Sequence, residues 1–190
     1  MQGIEASFLE GQLLIAMPGM GDPRFEKSVV FVCSHSDQGA MGLIVNKPAP
    51  DLRFDTLLEQ LDITSTIDLR NTPVHFGGPV EHGRGFVLHT PDYAVDGGSI
   101  QVNTGFSMTA TLDILRDMAV GRGPDLSLLA LGYSGWGPGQ LESEIRQNAW
   151  LTASADQELV FGGNSAGKWD AALRSLDIDP RLLSGGGGSA

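Results

Sequence analysis

Cysteine occurs once in this chain, as Cys33, so no internal disulfide can form. A fold held by covalent staples is excluded, and a lone thiol suits a reducing compartment. Positive charge is scarce: 12 lysines and arginines face 23 acidic residues, for a formal net charge of −11. Lys27, Lys47, Lys168 and the arginines are scattered along the chain and never clustered. Such a surface repels polyanions and anionic membranes, which argues against direct nucleic-acid binding. Long apolar runs are missing too, and none approaches the ~20 residues that a membrane span requires. The opening stretch MQGIEASFLEGQ has neither the basic start nor the apolar core of a secretory signal. The expectation is a cytoplasmic protein with no membrane contact.

Glycine, by contrast, is abundant at 26 of 190 residues, which predicts many tight turns. A chain of this length folds most simply as one domain and can bury about 70% of its unfolded surface. We place that domain at 1–183 and read SGGGGSA, 184–190, as a flexible tail. The runs LEGQLLIAMPG, closed by Pro18 and Gly19, KSVVFVCSH and MGLIVNKP read as strands, the last two joined as a hairpin by SDQGA. PVHFGG, RGFVLHT and SIQV read as shorter strands, and LSLLALGY as a strand buried on both faces because it alternates poorly. Helical spacing marks 51–63, 109–120, 140–149 and 165–176. Asp22 and Pro23 read as the start of a short helical turn, and Gly121 as a helix stop. The stretch 150–161 reads as containing strand. Interspersed elements with hairpin-linked strands predict an α+β fold, a mixed, mainly antiparallel sheet with about four helices packed on it. The segments Phe54–Ile63 and Trp169–Ile178 echo each other, which we read as two similar amphipathic helices rather than a duplication.

The segment GYSGWGPGQLESEI, 132–145, concentrates glycine around one tryptophan between a strand and a helix. A nucleophile elbow requires G-x-S-x-G, but Trp136 stands at the fifth position. A phosphate cradle lacks the following lysine and is opposed by Glu142 and Glu144. The structural reading accounts for the stretch best. Gly137 serves as N-cap, Pro138 as first helical residue, and Gln140 reaches back as in a capping box. Glu142 and Arg146 then pair at i,i+4, and the glycines let Trp136 fold over the corner.

Taken together, LLIAMPGMGDPRFEKSVVFVCSH, GAMGLIVNKP, FGGPV with RGFVLH, and GYSGWGPGQLESEIRQNAWL resemble the AlgH/YqgE family of bacterial proteins. The resemblance runs from about Leu9 to Leu183. It implies a compact α+β fold and a cytosolic, bacterial protein. The family's common label, transcriptional regulator, comes from a role in control of alginate synthesis. No catalytic residue set is agreed for the family, and Ser134 stands where it usually has alanine. The resemblance therefore implies a regulatory or binding protein without catalytic activity, acting indirectly on transcription, with an unidentified protein partner.

Chemistry-bearing residues remain. Cys33 and His35, two apart on a strand, are expected on one face, as an activated thiol or, preferably, a cysteine buried in a β core. His75, His82 and His89 recur every seven residues, but the glycines between them forbid a helix, so no metal stripe is expected. No cofactor motif is present. In FGGPVEHGRGF, Gly77 and Gly78 expose backbone donors and Arg84 offers a guanidinium fork. The alternative is a turn in which Arg84 is tied to a carboxylate. With Asn46 and the corner Gly135, Trp136, Gly137 and Gly139, this loop makes the candidate ligand-binding set. A concave pocket lined by both loops would favour a small-molecule or anion receptor, or an enzyme; a filled core would not.

Overall fold

In the computed structural model, which describes residues 8–183, strand β1 (Gln12–Ala16) sends Leu13 and Ile15 to one core and Leu14 and Ala16 to another. The same split recurs in β2 (Val29–Ser36), where Val29 and Phe31 oppose Val30 and Val32, and in β3 (Gly39–Ile44), where Leu43 opposes Ile44. In β6 (Val80–His89) and β9 (Ser127–Trp136), Phe86, Leu88, Leu128 and Ala130 face inward while Val87 and Leu129 face outward. A strand covered on both faces needs apolar residues at every position. That is why these segments read as continuous runs. The expected tail at 184–190 lies outside the described residues.

The remaining strands are β4 (Pro48–Arg53), β5 (Pro73–Phe76), β7 (Ser99–Gln101), β8 (Ser107–Thr109) and β10 (Trp150–Ser154). One sheet of ten strands runs β10-β1-β2-β3-β9-β6-β8-β7, with β5 joined to β9 and β4 to β5. Every pairing is antiparallel except β5 with β9. The sheet curls until distant strands meet across the inner face: Phe31 of β2 packs on Phe106, just before β8, with ring centroids 4.7 Å apart. Helices α4 (Gln157–Phe161) and α5 (Lys168–Arg174) close one end of that interior through Val160, Trp169 and Leu173. Helices α1 (Phe54–Gln60) and α2 (Leu112–Ala119) cover the outer face of β6 and β9; α3 (Gln140–Arg146) covers that of β1 to β3. The fold is therefore α+β and mainly antiparallel, with five α-helices where about four were expected.

Four helices stop in the same way. Asp62, Gly121, Asn148 and Asp177 follow α1, α2, α3 and α5 with φ of 59°, 78°, 64° and 62°. Each next residue turns its N–H back five positions, as Ile63 does to the Leu58 carbonyl and Ile178 to the Leu173 carbonyl. This is the Schellman arrangement, which satisfies carbonyls left open at a helix end. The echo between Phe54–Ile63 and Trp169–Ile178 is thus a repeated helix with a repeated stop.

A bulge in β2 and a left-handed residue in β9 change which side chains face inward. In β2 the pairing shifts between Val32 and Ser34, so Cys33 is an extra residue. Cys33 joins the inner core, whereas His35 points outward to α3. The expectation that they share a face is therefore corrected. In β9, Gly132 adopts φ 77°, and a Cβ there would strike the Gly78 carbonyl oxygen. Beyond it Tyr133 turns inward, although Leu131 two residues earlier packs outward. The stretch 77–83, expected as a loop, is strand from Val80 onward in β6, and β9 runs on to Trp136, past its expected end at Tyr133.

Candidate functional site

The inner face is filled by α4 and α5 at one end and open at the other. The open end is a groove of about 860 Å³. Its floor is Met41 of β3, Phe86 of β6, Met108 of β8 and Tyr133 of β9. The β2 bulge places its hydroxyl rim: Ser34 and Ser36 face the groove while His35 between them faces away. Ile100 of β7 lies at the far wall and is 60% exposed. Among the described lining residues, Arg84 alone bears a charge. Its guanidinium sits 5.1 Å from the Phe86 ring centroid, and Nη1 is 3.7 Å from Glu81 Oε1. That contact is long and exposed, so it holds Arg84 weakly.

The expected site residues divide. Arg84, Gly135 and Trp136 line this one groove. Gly77 donates its N–H to the Leu131 carbonyl, and its own carbonyl accepts from Ile44 N–H and from Ser134 Oγ. Gly78 is pressed against the Tyr133 backbone so closely that a Cβ would not fit. Both glycines serve close strand packing, and the Gly77 amide is already used. Asn46 ties the start of β2 to the connection between β3 and β4: Oδ1 accepts from Val29 N–H at 2.9 Å and Nδ2 donates to the Lys27 carbonyl at 2.8 Å. Gly137 donates to Gln140 Oε1 at 2.9 Å, the expected reach-back, but the helix begins after Gly139, whose φ is 73°. Gly139 is thus the N-cap in place of Gly137. Trp136 ends β9 on the outer side, where Nε1 donates to Glu144 Oε1.

The other flagged groups are also bound into the fold. Ser134 is fully buried and donates to the Gly77 carbonyl. Burial pushes the Cys33 thiol up to about 12, which keeps it protonated. Leu9 N–H donates to His35 Nδ1, so the ring hydrogen sits on Nε2 and is donated to Glu142 Oε2 at 3.0 Å. Glu142 bonds to His35 in place of the expected partner, Arg146. His75 belongs to β5, and His82 and His89 to β6; no metal-holding group of acidic, histidine or cysteine residues occurs among the described residues.

Sequence reasoning missed a buried cation. Lys168 is 3% exposed and donates to the Val45 carbonyl at 2.8 Å and the Val160 carbonyl at 2.6 Å. Burial lowers its pKa to about 8. Burial, with Lys168 nearby, also lowers His75 to about 4, and His75 Nε2 lies 3.3 Å from Ser165 Oγ. These residues line neither groove and tie β3 and β5 to α4 and α5. A second depression of about 800 Å³ is bordered by Met17, Met20, Lys27, Trp169 and Arg181. It mixes charges of both signs and contains none of the flagged residues, and Lys27 caps the Trp169 ring at 5.3 Å. The groove at Arg84 is the better candidate because its one cation is held only by a long, exposed contact to Glu81.

The family model described as "DUF179: AlgH-like" matches residues 13–181. A UPF0301 protein of Ruegeria pomeroyi is 63% identical over 96% of this chain and 99% of its own length. Another from Paracoccus denitrificans is 53% identical over 98% and 99%. The solution structure of the AlgH protein from Pseudomonas aeruginosa superposes with a TM-score of 0.80 at 37% identity, covering 100% of both chains. A Corynebacterium diphtheriae crystal structure shares the fold at 22% identity and a TM-score of 0.70, over 92% of this chain and 89% of that one.

Proposed function

The chain belongs to the AlgH-like family, and from that premise we propose that it is a cytoplasmic regulatory binding protein without a catalytic step, with the inner-face groove as its recognition site. One observation supports this above the others. The groove brings Arg84 beside Gly135 and Trp136 over an apolar floor, yet none of its described lining residues is a histidine, lysine or carboxylate. Hydroxyls from Ser34, Ser36 and Tyr133 are there, but a hydroxyl nucleophile needs a base within hydrogen-bond reach. An apolar pocket with a few placed polar groups suits binding. Any influence on transcription is indirect, through the ligand or a protein partner, because a net charge of −11 opposes the phosphate contacts that DNA binding requires.

A thermal-shift screen of cytosolic metabolites, on wild type and on the double variant Arg84→Gln/Ile100→Asp, tests the reading. Both side chains are more than half exposed, so the variant retains the fold. A ligand at 100 times its dissociation constant adds about 2.7 kcal/mol, a melting shift on the order of 5–10 °C. That shift should vanish in the variant, and the ligand should be recovered unchanged. Turnover of the ligand would overturn the reading, as would shifts indifferent to the variant. Mobility-shift titrations at low salt should show no complex at micromolar protein. A sequence-selective DNA complex surviving moderate salt would sink the indirect role.

A further inference from the structure

We propose that the groove binds a medium-chain carboxylate, with the carboxylate on Arg84 and the apolar body over Met41, Met108 and Tyr133. The proposal rests on the groove being the recognition site and adds the chemistry of its occupant.

Charge selects the head group. Arg84 is the sole charged lining residue among those described, in a chain of net charge −11. One guanidinium matches one carboxylate, through two parallel N–H donors. A phosphate dianion asks for a second cation, and none lines the groove. Arg84 is also available. Its pairing with Glu81 is a single contact at 3.7 Å between side chains 54% and 51% exposed. The Phe86 ring beneath the guanidinium limits its tilt, so less freedom is lost when a carboxylate docks.

The floor selects the body. Met41, Phe86, Met108 and Tyr133 present apolar surface, and Ile100 leaves a large apolar side chain mostly in water at the wall. Methionines adapt to flexible apolar ligands. Strand addition to the floor is disfavoured because β3, β9, β6 and β8 are each paired on both edges, and the free edge of β7 lies at the wall. The floor therefore offers no unpaired backbone groups for strand addition, and recognition falls to side chains. A volume of about 860 Å³ suits a ligand larger than a two-carbon acid.

Isothermal titration of the full chain with sodium decanoate, decanol and decyltrimethylammonium tests this, with methionine-methyl NMR to locate binding. Decanoate should bind most tightly and shift the Met41 and Met108 methyls. Arg84→Gln should weaken decanoate at least tenfold and leave decanol within about twofold, and Ile100→Asp should weaken both. Decanol binding as well as decanoate, decanoate binding unmoved by Arg84→Gln, or methyl shifts confined to Met17 and Met20 would each overturn the proposal. Inorganic phosphate and acetate serve as head-group controls and should shift none of these methyls. If the metabolite screen instead finds a groove-dependent ligand lacking a carboxylate, this proposal fails while the binding role stands.

Discussion

Trp136 and Trp150 donate their indole N–H groups to one oxygen, Glu144 Oε1, both at 2.9 Å. Their rings meet edge to face at 5.9 Å, and each is at least 93% buried. A single carboxylate on α3 thus joins the end of β9 to the start of β10. Glu144→Ala leaves two buried donors without a partner, at about 1–3 kcal/mol each. We expect a loss of about 2–4 kcal/mol in urea unfolding followed by tryptophan fluorescence. Glu144→Gln keeps an acceptor oxygen and should lose less than half as much. Equal losses in the two variants would show that the hydrogen bonds are not the cause.

Acid should destabilise the protein through His75. Its folded pKa is about 4 against an ordinary 6.5, with burial the main cause. Between these values the unfolded chain takes up a proton that the folded chain refuses. Stability therefore falls as pH drops from 6.5 towards 4, by about 3 kcal/mol in full. Denaturant midpoints at pH 7 and pH 4.5 should differ accordingly, and His75→Gln should flatten part of that slope.

Cys33 should react slowly with a maleimide in the folded protein and quickly in denaturant. The thiol is 6% exposed and held near a pKa of 12 by burial. His35→Ala should leave the folded rate unchanged, because the β2 bulge puts the two side chains on opposite faces. A rate that falls with that variant would mean the imidazole reaches the sulfur.

The Leu9 amide should be protected from hydrogen exchange by His35. His35→Phe removes the acceptor at Nδ1 and the donor to Glu142 together. Protection at Leu9 should fall at least tenfold, while amides of the inner strands, such as Phe31, keep theirs. Loss of protection throughout would instead mean that His35 supports the whole fold.

The strands that were legible in the sequence are those covered on both sides, such as VVFV and LSLLAL. The helix stop at Gly121 was legible because glycine favours left-handed backbone. The stops at Asp62 and Asp177 were visible only as an echo, since aspartate does not announce that conformation. Strand β4 was hidden by Pro48 and Pro50, which an edge strand tolerates, and β4 pairs only with β5. Strand β8 has three residues and owes its place to its neighbours. At the site, Arg84 and the Gly135–Trp136 corner were named from local chemistry. Ser34, Met108 and Ile100 were not, because only the register of distant strands gathers them. Gly77 and Gly78 misled for a related reason: glycine that admits a ligand and glycine that admits a neighbouring strand look alike in one sequence.

The irregular positions at Cys33 and Gly132 shift the phase of alternation along their strands. Straightening β2 at Cys33 with every residue kept would continue simple alternation. His35 would then turn into the groove, and Ser34 and Ser36 towards α3. Straightening β9 at Gly132 would likewise turn Tyr133 and Gly135 out of the groove. A substitution on either strand changes one contact, whereas loss of the irregular conformation exchanges the lining of the groove for the packing of the opposite face. Two backbone positions thus act as phase shifters that decide which half of each strand a ligand can meet.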